Sequence, residues 1–343
     1  MKRIVKIILI VLFLSILIII ALLLIGTYLN QPVSNIPKEQ LVFTIDEGSS
    51  LSTISNSLSD KCLIKYPWAM VLYSKFIGTQ TDFKVGTYSL STGMTLIQVH
   101  DYLVKGKQQL YKITIPEGWT SNQIAEYLDT KEITKAEDFR FLVKSSEILS
   151  DYGLDGISPE GFIYPDTYLF QKNFPAEKIL KVMVNTFFIR LQKIFPDYEE
   201  LAKEDLYDKV ILASIVEREY RDPEEAALMA GVFYNRLTKS NPIPLGSCAT
   251  IAYIITDIEK RPHPSSITYR DLKIESPYNT YINKGLPPGP ISNPGEVAIR
   301  AVFYPVKSHY LYFLLKNPES GQHEFTNTLS EHTAAYNIYI KKN

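Results

Sequence analysis

The first strong pattern along the chain is an unbroken apolar run near the N-terminus. Residues 7–29 contain no charged side chain, and as an α-helix the run would be about 34 Å long, enough to cross the hydrocarbon core of a bilayer. Lys2, Arg3 and Lys6 precede the run, so the positive-inside rule predicts a cytoplasmic N-terminus and an extracytoplasmic body. The run is longer than the apolar core of a signal peptide and lacks a small-residue cleavage site, which favours a retained anchor over a cleaved signal.

After this anchor, a pattern of strand, glycine turn and amphipathic helix occurs twice. Thr-Ile-Asp-Glu-Gly at residues 44–48 is echoed by Thr-Ile-Pro-Glu-Gly at residues 114–118. Each copy is followed by a Ser/Thr cap and a helical period of apolar residues. Between the copies, residues 83–90 alternate like a strand, and Thr95 is a candidate cap for a helix that extends through Leu103.

The second half of the chain alternates helical and loop-forming segments, which predicts the α+β class. Asp222 and Pro223 indicate the start of a helix, with Glu225 as the partner in a capping box. The preceding helix must therefore end near Arg221. The predicted elements of this half are helices over residues 176–195, 210–221, 223–237 and 296–303 and a strand over residues 310–314.

A glutamate in the last turn of one of these helices is the main candidate for chemistry. Ala213 and Ser214 lie one helical turn before Glu217 on the same face, which leaves room for a substrate over the carboxylate. A carboxyl group in partly apolar surroundings has a raised pKa and can act as a general acid near neutral pH. The alternative is a surface ion pair between Glu217 and Arg221.

Composition narrows the classes of function. The net charge is −1 over 343 residues, so no basic surface for nucleic acid is expected. The five histidines show no spacing typical of metal ligands, and we expect no metal and no other cofactor. Cys62 and Cys248 lie far apart in the sequence, and free thiols are the expected state.

A series of motifs extends over most of the chain. The motifs are Ile-Pro-Glu-Gly-Trp-Thr at 115–120, Glu-Gly-Phe at 160–162, Pro-Asp-Thr-Tyr at 165–168, Ala-Ser-Ile-Val-Glu-Arg-Glu at 213–219, Val-Phe-Tyr-Asn-Arg-Leu at 232–237, Ser-Pro-Tyr-Asn-Thr-Tyr at 276–281, Gly-Leu-Pro-Pro-Gly at 285–289 and His-x-Phe at 323–325. In this order they resemble the motifs of the MltG (YceG-like) family of endolytic murein transglycosylases. The strand–turn–cap–helix unit resembles the LysM module, which binds glycans that contain N-acetylglucosamine; the alternative is a packing repeat without a ligand.

The resemblance implies an α+β protein with an N-terminal transmembrane helix, a LysM-like α/β subdomain and a mixed α+β catalytic domain of the YceG-like kind. The boundaries expected from the sequence are a cytoplasmic tail and transmembrane helix over residues 1–30, a spacer over 31–40, a LysM-like glycan-binding region over 41–155 and a catalytic domain over 156–343. The implied location is the bacterial cytoplasmic (inner) membrane, with the catalytic body outside the cytoplasm.

The resemblance also implies a reaction and its residues. The implied reaction cleaves the β-1,4 bond between N-acetylmuramic acid and N-acetylglucosamine in peptidoglycan and leaves a 1,6-anhydro end. Glu217 is the expected catalytic acid. The side chain of Glu219 diverges from it by roughly 200° around the helix, so Glu219 is assigned a supporting role. The candidates for binding the glycan, each with a turn-stabilising role as the alternative, are Ser247, Thr250, Tyr278 and Asn279.

Several further expectations accompany this assignment. Cys248 stands where family members usually carry an acidic residue, so that position cannot supply an anion unless the thiol is deprotonated. Phe162 and Tyr281 are expected in the core, and the polar segment 323–332 could line a site.

The expected partners are peptidoglycan strands and membrane-bound peptidoglycan synthases (penicillin-binding proteins), with a role in ending nascent strands. The rival hypothesis is a non-catalytic, membrane-tethered protein that binds peptidoglycan, in which Glu217 is only a surface ion pair.

Overall fold

A computed structural model describes residues 2–34, 40–106, 110–145 and 147–341, so the predicted spacer over 31–40 lies partly outside the described residues. The chain divides into two compact units. Unit 1 comprises Met1–Tyr111 with Gln171–Phe174, and unit 2 comprises Lys112–Phe170 with Pro175–Asn343. The two copies of the sequence repeat therefore lie in different units, and the boundary between a glycan-binding region and a catalytic domain stays a prediction.

Unit 1 begins with the long apolar helix α1 (Lys2–Leu29). Its segment Leu9–Leu29 is 21 residues long, has a mean hydropathy of 3.4 and is not buried by the protein. Within the residues that the structure describes, α1 is the one helix long and apolar enough to cross a membrane. A helix of this length with exposed apolar side chains on every face is typical of a membrane span.

The rest of unit 1 is a strand–helix–helix–strand segment followed by a further helix. The two strands are antiparallel, in a register that joins Gln40 to Ser91 and Ile45 to Gly86. Thr95 caps the last helix in a capping box with Gln98, which confirms the predicted cap. The elements are β1 (Gln40–Ile45), α2 (Leu51–Asp60), α3 (Pro67–Ile77), β2 (Gly86–Ser91) and α4 (Leu96–Lys105). Their core contains Phe43, Ile54, Leu58, Met70, Tyr88, Leu90 and Leu103.

Unit 2 begins with a second strand–helix–helix–strand segment. Its first helix is capped by Thr120, in a capping box with Gln123, and the two strands pair with each other. The elements are β3 (Tyr111–Thr114), α5 (Ser121–Thr130), α6 (Ala136–Lys144) and β4 (Thr167–Phe170). The repeat seen in the sequence is therefore also a repeat of element order.

The remainder of unit 2 is mainly helical, and with the strands it confirms the α+β class. The predicted strand at residue 310 instead begins at Tyr312, where its ladder with a second, unpredicted strand begins. Helix α11 packs against α8 and α9 and places the loop before it beside the end of α8. The elements are α7 (Ala176–Ile194), α8 (Lys203–Glu219), α9 (Ala226–Leu237), α10 (Cys248–Tyr253), α11 (Glu296–Phe303), β5 (Tyr312–Asn317), β6 (Gln322–Thr326) and α12 (Leu329–Tyr339).

One buried amide, that of Asn293, joins three segments of unit 2. Its Nδ2 donates to Trp119 O at 3.0 Å and to Glu160 Oε1 at 2.9 Å. Its Oδ1 accepts from the backbone N–H groups of Gly161 at 2.9 Å and Ile163 at 3.0 Å. The side chain is fully buried, so each of these bonds replaces water that cannot reach it.

The carboxyl group of Glu160 shares this network. It accepts from Asn293 and from the backbone N–H of Ser121 at 2.9 Å. Burial raises the pKa of Glu160 to about 7, although the donors from Ser121 and Asn293 act in the opposite direction. Together these bonds fix the loop before α11 relative to the start of α5.

We expect Asn293→Ala to lower the free energy of unfolding by about 3 kcal/mol or more, because each buried partner left without a hydrogen bond costs about 1–3 kcal/mol. Urea unfolding followed by circular dichroism measures this change. Asn185→Ala, at an exposed position of α7, is the matched control and should change stability by less than about 0.5 kcal/mol. Equal effects of the two substitutions would show that the network does not hold the loop.

Candidate active site at the end of helix α8

Helix α8 ends at Glu219 because Tyr220 leaves the helical region and a new helical segment starts almost at once. Tyr220 is extended, with φ −70° and ψ 148°. Asp222 then accepts a hydrogen bond from Glu224 N at 3.0 Å, and Pro223–Glu225 forms a short 3₁₀ turn ahead of α9. The prediction that Glu217 lies in the last turn of its helix is confirmed.

The predicted capping role of Glu225 is wrong. Its carboxylate accepts from the backbone N–H of His323 at 3.0 Å, and its Oε2 lies 2.8 Å from Nδ1 of the same residue. The imidazole ring is nearly buried. Glu225 therefore ties the start of α9 to β6, a contact between residues far apart in sequence that local capping rules cannot anticipate.

Glu217 is held by the loop before α11. Its Oε2 accepts from Gly295 N at 3.0 Å. Burial raises the pKa of Glu217 to about 7; the Gly295 N–H bond opposes this rise, the charge of Glu117 adds to it, and Tyr220 and Arg218 oppose it. Arg218 is therefore the cation whose charge lowers the pKa of Glu217. Arg221, the partner in the alternative surface ion pair, does not have this effect.

Glycine backbone lies close to the side chains of Glu217 and Glu117. A Cβ placed on Gly118 would lie 3.5 Å from Glu217 Cγ, and one placed on Gly295 would lie 2.7 Å from Glu117 Cγ. Two glycines therefore allow this close approach. Glu217 is partly exposed, and the hollow expected over its carboxylate stays a prediction.

Glu219 points to the other side of α8 and lines a cavity of about 520 Å³. Ser247 Oγ donates to Glu219 Oε1. Burial raises the pKa of Glu219, while hydrogen bonds from Ser247 and the Ala249 N–H and the charges of Arg218 and Arg236 act in the opposite direction. The expected divergence of Glu217 and Glu219 is therefore observed, but the cavity lies on the side of Glu219.

The cavity has an aromatic and basic wall. Glu219 is the only carboxylate among its described lining residues. Nδ1 of His332 is buried and has no hydrogen-bond partner among the described residues, which leaves it available to a ligand. The other side chains of chemical interest in the lining are Arg218, Arg236, Cys248, Tyr281, Phe313 and His323.

Two of the four residues predicted to bind the glycan, Ser247 and Thr250, share a hydrogen-bond network beside Glu219, and a third, Asn279, holds a neighbouring loop. Ser247 N donates to Thr280 Oγ1 at 3.0 Å, and Thr250 Oγ1 lies 2.9 Å from the same oxygen. Asn279 is fully buried and donates to the carbonyl oxygens of Leu272 and Ile274. Of these residues Ser247 lines the cavity, whereas Thr250 and Asn279 hold its walls.

Tyr278 lies elsewhere in unit 2, in a second cavity of about 550 Å³ that also contains Tyr207, Tyr253 and Glu160. The rings of Tyr253 and Tyr278 are 5.1 Å apart. The structure therefore does not bring Tyr278 together with Ser247.

Phe162 and Tyr281 are the two aromatic residues that the sequence places in the core. Phe162 is fully buried, as expected, and Tyr281 both packs against the core cluster around Ile251 and lines the Glu219 cavity. The Tyr281 hydroxyl lies 2.9 Å from Cys248 Sγ. Partial burial raises the pKa of the Cys248 thiol, so Cys248 is neutral at neutral pH and supplies no anion here. Both cysteines are free, as expected.

The sequence alone did not identify Arg236 and His332 as residues of the site. Arg236 Nη1 donates to Leu245 O and Nε donates to Leu311 O, both at 2.6 Å, which connects the cavity lining to the residue before β5. The signal for Arg236 was present in the motif at residues 232–237, and that for His332 in the polar segment 323–332. Only the fold shows that both line the same cavity as Glu219.

Comparison with known proteins gives the family. The YceG-like family model matches residues 43–338. An endolytic murein transglycosylase of Bacillus subtilis is 33% identical over 92% of this chain and 89% of its own length. An endolytic murein transglycosylase of Streptococcus pneumoniae is 30% identical over 93% of this chain and 63% of its own length. The crystal structure of a yceG-like protein from Listeria monocytogenes is similar with a TM-score of 0.57 and 34% identity, over 87% of this chain and 99% of that chain.

The family match, the long alignments to these relatives and the similar fold lead to one conclusion: the chain belongs to the YceG-like family.

Proposed function

We propose that the protein is a lytic transglycosylase that cleaves the bond between N-acetylmuramic acid and N-acetylglucosamine within peptidoglycan strands. The names of its relatives support the substrate and the reaction class. The observation that carries the proposal is a cavity with a single carboxylate, Glu219. A glycosidase that uses water needs a second carboxyl group as base or nucleophile, and the neutral Cys248 thiol is no substitute.

One carboxyl group is sufficient when the nucleophile belongs to the substrate. In the proposed reaction Glu219 protonates the glycosidic oxygen as the bond to C1 of the muramoyl sugar breaks. The resulting carboxylate takes the proton from the C6 hydroxyl of that sugar, whose oxygen bonds to C1. Glu219 regains its proton and no water is consumed. The intramolecular nucleophile supplies the advantage of proximity.

We propose Glu219 for this role because it lines the cavity, and Glu217, the acid that the family resemblance implies, is the alternative. Both carboxyl groups have raised pKa values, so both could serve as acids. Glu219 lines the cavity, whereas Glu217 is hydrogen-bonded to Gly295 and is absent from the lining. Under this assignment Glu217 positions the loop before α11, and the experiment below decides between the two glutamates.

The other parts of the chain suggest how the substrate is reached. We propose that the strand–helix–helix–strand segments are LysM-like and bind the glycan; a repeat that only packs is the alternative. We further propose that α1 anchors the protein in the cytoplasmic membrane with the catalytic body outside. There it would meet strands made by membrane-bound synthases and end their elongation.

We expect Glu219→Gln to reduce cleavage of purified peptidoglycan by at least about 100-fold, because a general acid contributes about 10²–10⁴-fold. Glu217→Gln should retain most of the activity and serves as the matched control two residues away. The full-length chain in detergent is incubated with the polymer, and products are identified by mass spectrometry.

The reaction products distinguish the proposed transglycosylase from a hydrolase and from a protein that only binds peptidoglycan. Internal 1,6-anhydromuramoyl ends support the proposal, and reducing ends would identify a hydrolase. Loss of activity in Glu217→Gln alone would move the acid to Glu217. Wild-type protein that binds peptidoglycan without cutting it would support the tethered binding protein.

The pH dependence of kcat/KM provides an independent test. The acid must be protonated, so activity should fall as pH rises through the raised pKa of Glu219. Arg218 lowers that pKa, and Arg218→Gln should therefore shift the falling limb to higher pH. Arg221→Gln removes a neighbouring charge as the control. A limb that moves to lower pH in Arg218→Gln would contradict an acid beside Arg218. Because Arg218 also lowers the pKa of Glu217, the choice between the two glutamates depends on the glutamine variants above.

A further inference from the structure

Helix α3 of unit 1 presents an apolar face that the protein does not cover. Trp68, Leu72 and Phe76 are spaced four residues apart and so lie on one side of the helix. Their exposed fractions are 57%, 60% and 88%. The helix contains no acidic residue, and Lys75 is its only charged side chain. A patch of this kind on a protein surface marks an interaction site.

This face continues into an apolar cavity of about 700 Å³ beside the outer end of α1. The cavity is bounded by α3, by the start of α4 and by the last two turns of α1. Its lining is almost entirely aliphatic or aromatic and includes Leu22, Leu23, Gly26, Leu72, Phe76 and Ile97.

Specific contacts fix α1 against the rest of unit 1. Asn30 Oδ1 accepts from Ile97 N at 2.9 Å, and the hydroxyl groups of Tyr28 and Tyr66 are 3.2 Å apart. The two tyrosine rings also pack together, with centroids 6.1 Å apart. Leu29 packs against the core of the unit. These hydrogen bonds and packing contacts therefore fix the position of α3 beside α1.

The depth of α3 follows from the depth of α1. The span Leu9–Leu29 is about 31 Å long as a helix and matches the hydrocarbon core. Leu22 lies seven residues before Leu29, about 10 Å inside the outer end of that span. Leu72 and Phe76 line the same cavity as Leu22. If Leu22 lies in hydrocarbon, the cavity and the side chains around it lie there too.

We propose that the α3 face is immersed in the outer leaflet of the membrane and that lipid acyl chains fill the cavity between α3 and α1. The proposal rests on the membrane anchoring put forward above. Tyr28, Tyr66 and Trp68 then lie at the depth where aromatic side chains concentrate. Lys75 extends its ammonium group toward the headgroups while its methylene groups stay in the apolar zone.

Tryptophan fluorescence tests this placement directly, because the chain has only 2 tryptophans, Trp68 and Trp119. The full-length chain is reconstituted into phosphatidylcholine vesicles with or without bromine on the acyl chains. Trp119→Phe, which leaves Trp68 as the reporter, should lose most of its emission in brominated vesicles and resist quenching by acrylamide. Trp68→Phe should be insensitive to bromine. The wild type must show the same bromine-quenched component, which covers the case in which Trp119→Phe disturbs folding.

A second variant places a charge on the apolar face of α3. Phe76→Asp should reduce the quenching of Trp68 by brominated lipid, because a carboxylate is expelled from hydrocarbon. Phe141→Asp is the control, since Phe141 is also highly exposed, at 75%, and belongs to unit 2.

Flotation of the vesicles distinguishes failure of the membrane anchoring from failure of this inference alone. Protein that does not float with the vesicles overturns the anchoring and this inference together. Protein that floats while Trp68 is quenched by acrylamide and not by brominated lipid overturns the inference alone and leaves the anchoring intact.

Discussion

Burial of carboxyl groups is the constraint on which the organisation of unit 2 depends. Removal from water raises the pKa of Glu160, Glu217 and Glu219, and hydrogen-bond donors in the surrounding loops hold each of them. A buried carboxyl group without such donors would cost several kcal/mol. The loops around α8 are therefore fixed by the partners that these three groups require: the start of α5 and Asn293 for Glu160, Gly295 for Glu217, and the start of α10 for Glu219.

Under the proposed function, two glutamates that are close in sequence have different roles. Glu217 and Glu219 lie in one helical turn but face opposite sides, so Glu217 would secure a loop while Glu219 meets the substrate. Ser247 both donates to Glu219 and lines the cavity, and Thr250 and Thr280 hold Ser247 from behind. A raised pKa alone does not distinguish an acid in catalysis from a structural carboxyl group, so the proposal of Glu219 depends on its place in the cavity wall.

Local patterns in the sequence were sufficient for the elements. The anchor, the caps at Thr95 and Thr120, and the helices over residues 176–195 and 296–303 follow from periodicity and capping, which involve neighbours within a few residues. The contacts of Glu225 with His323 and of Glu219 with Ser247 join residues far apart in sequence. Periodicity could place Glu217 and Glu219 on different faces of α8, but it could not show which face borders a cavity. For the same reason Tyr281, Arg236 and His332 were not selected.

The most direct test of the central claim is a crystal structure of full-length Glu219→Gln with a short peptidoglycan glycan bound. The expected result is a glycosidic oxygen within about 2.6–3.2 Å of the residue 219 side chain, the distance over which an acid can transfer its proton, with the C6 hydroxyl of the muramoyl sugar on the same side. A glycan bound against Glu217, with residue 219 away from the scissile bond, would contradict the account.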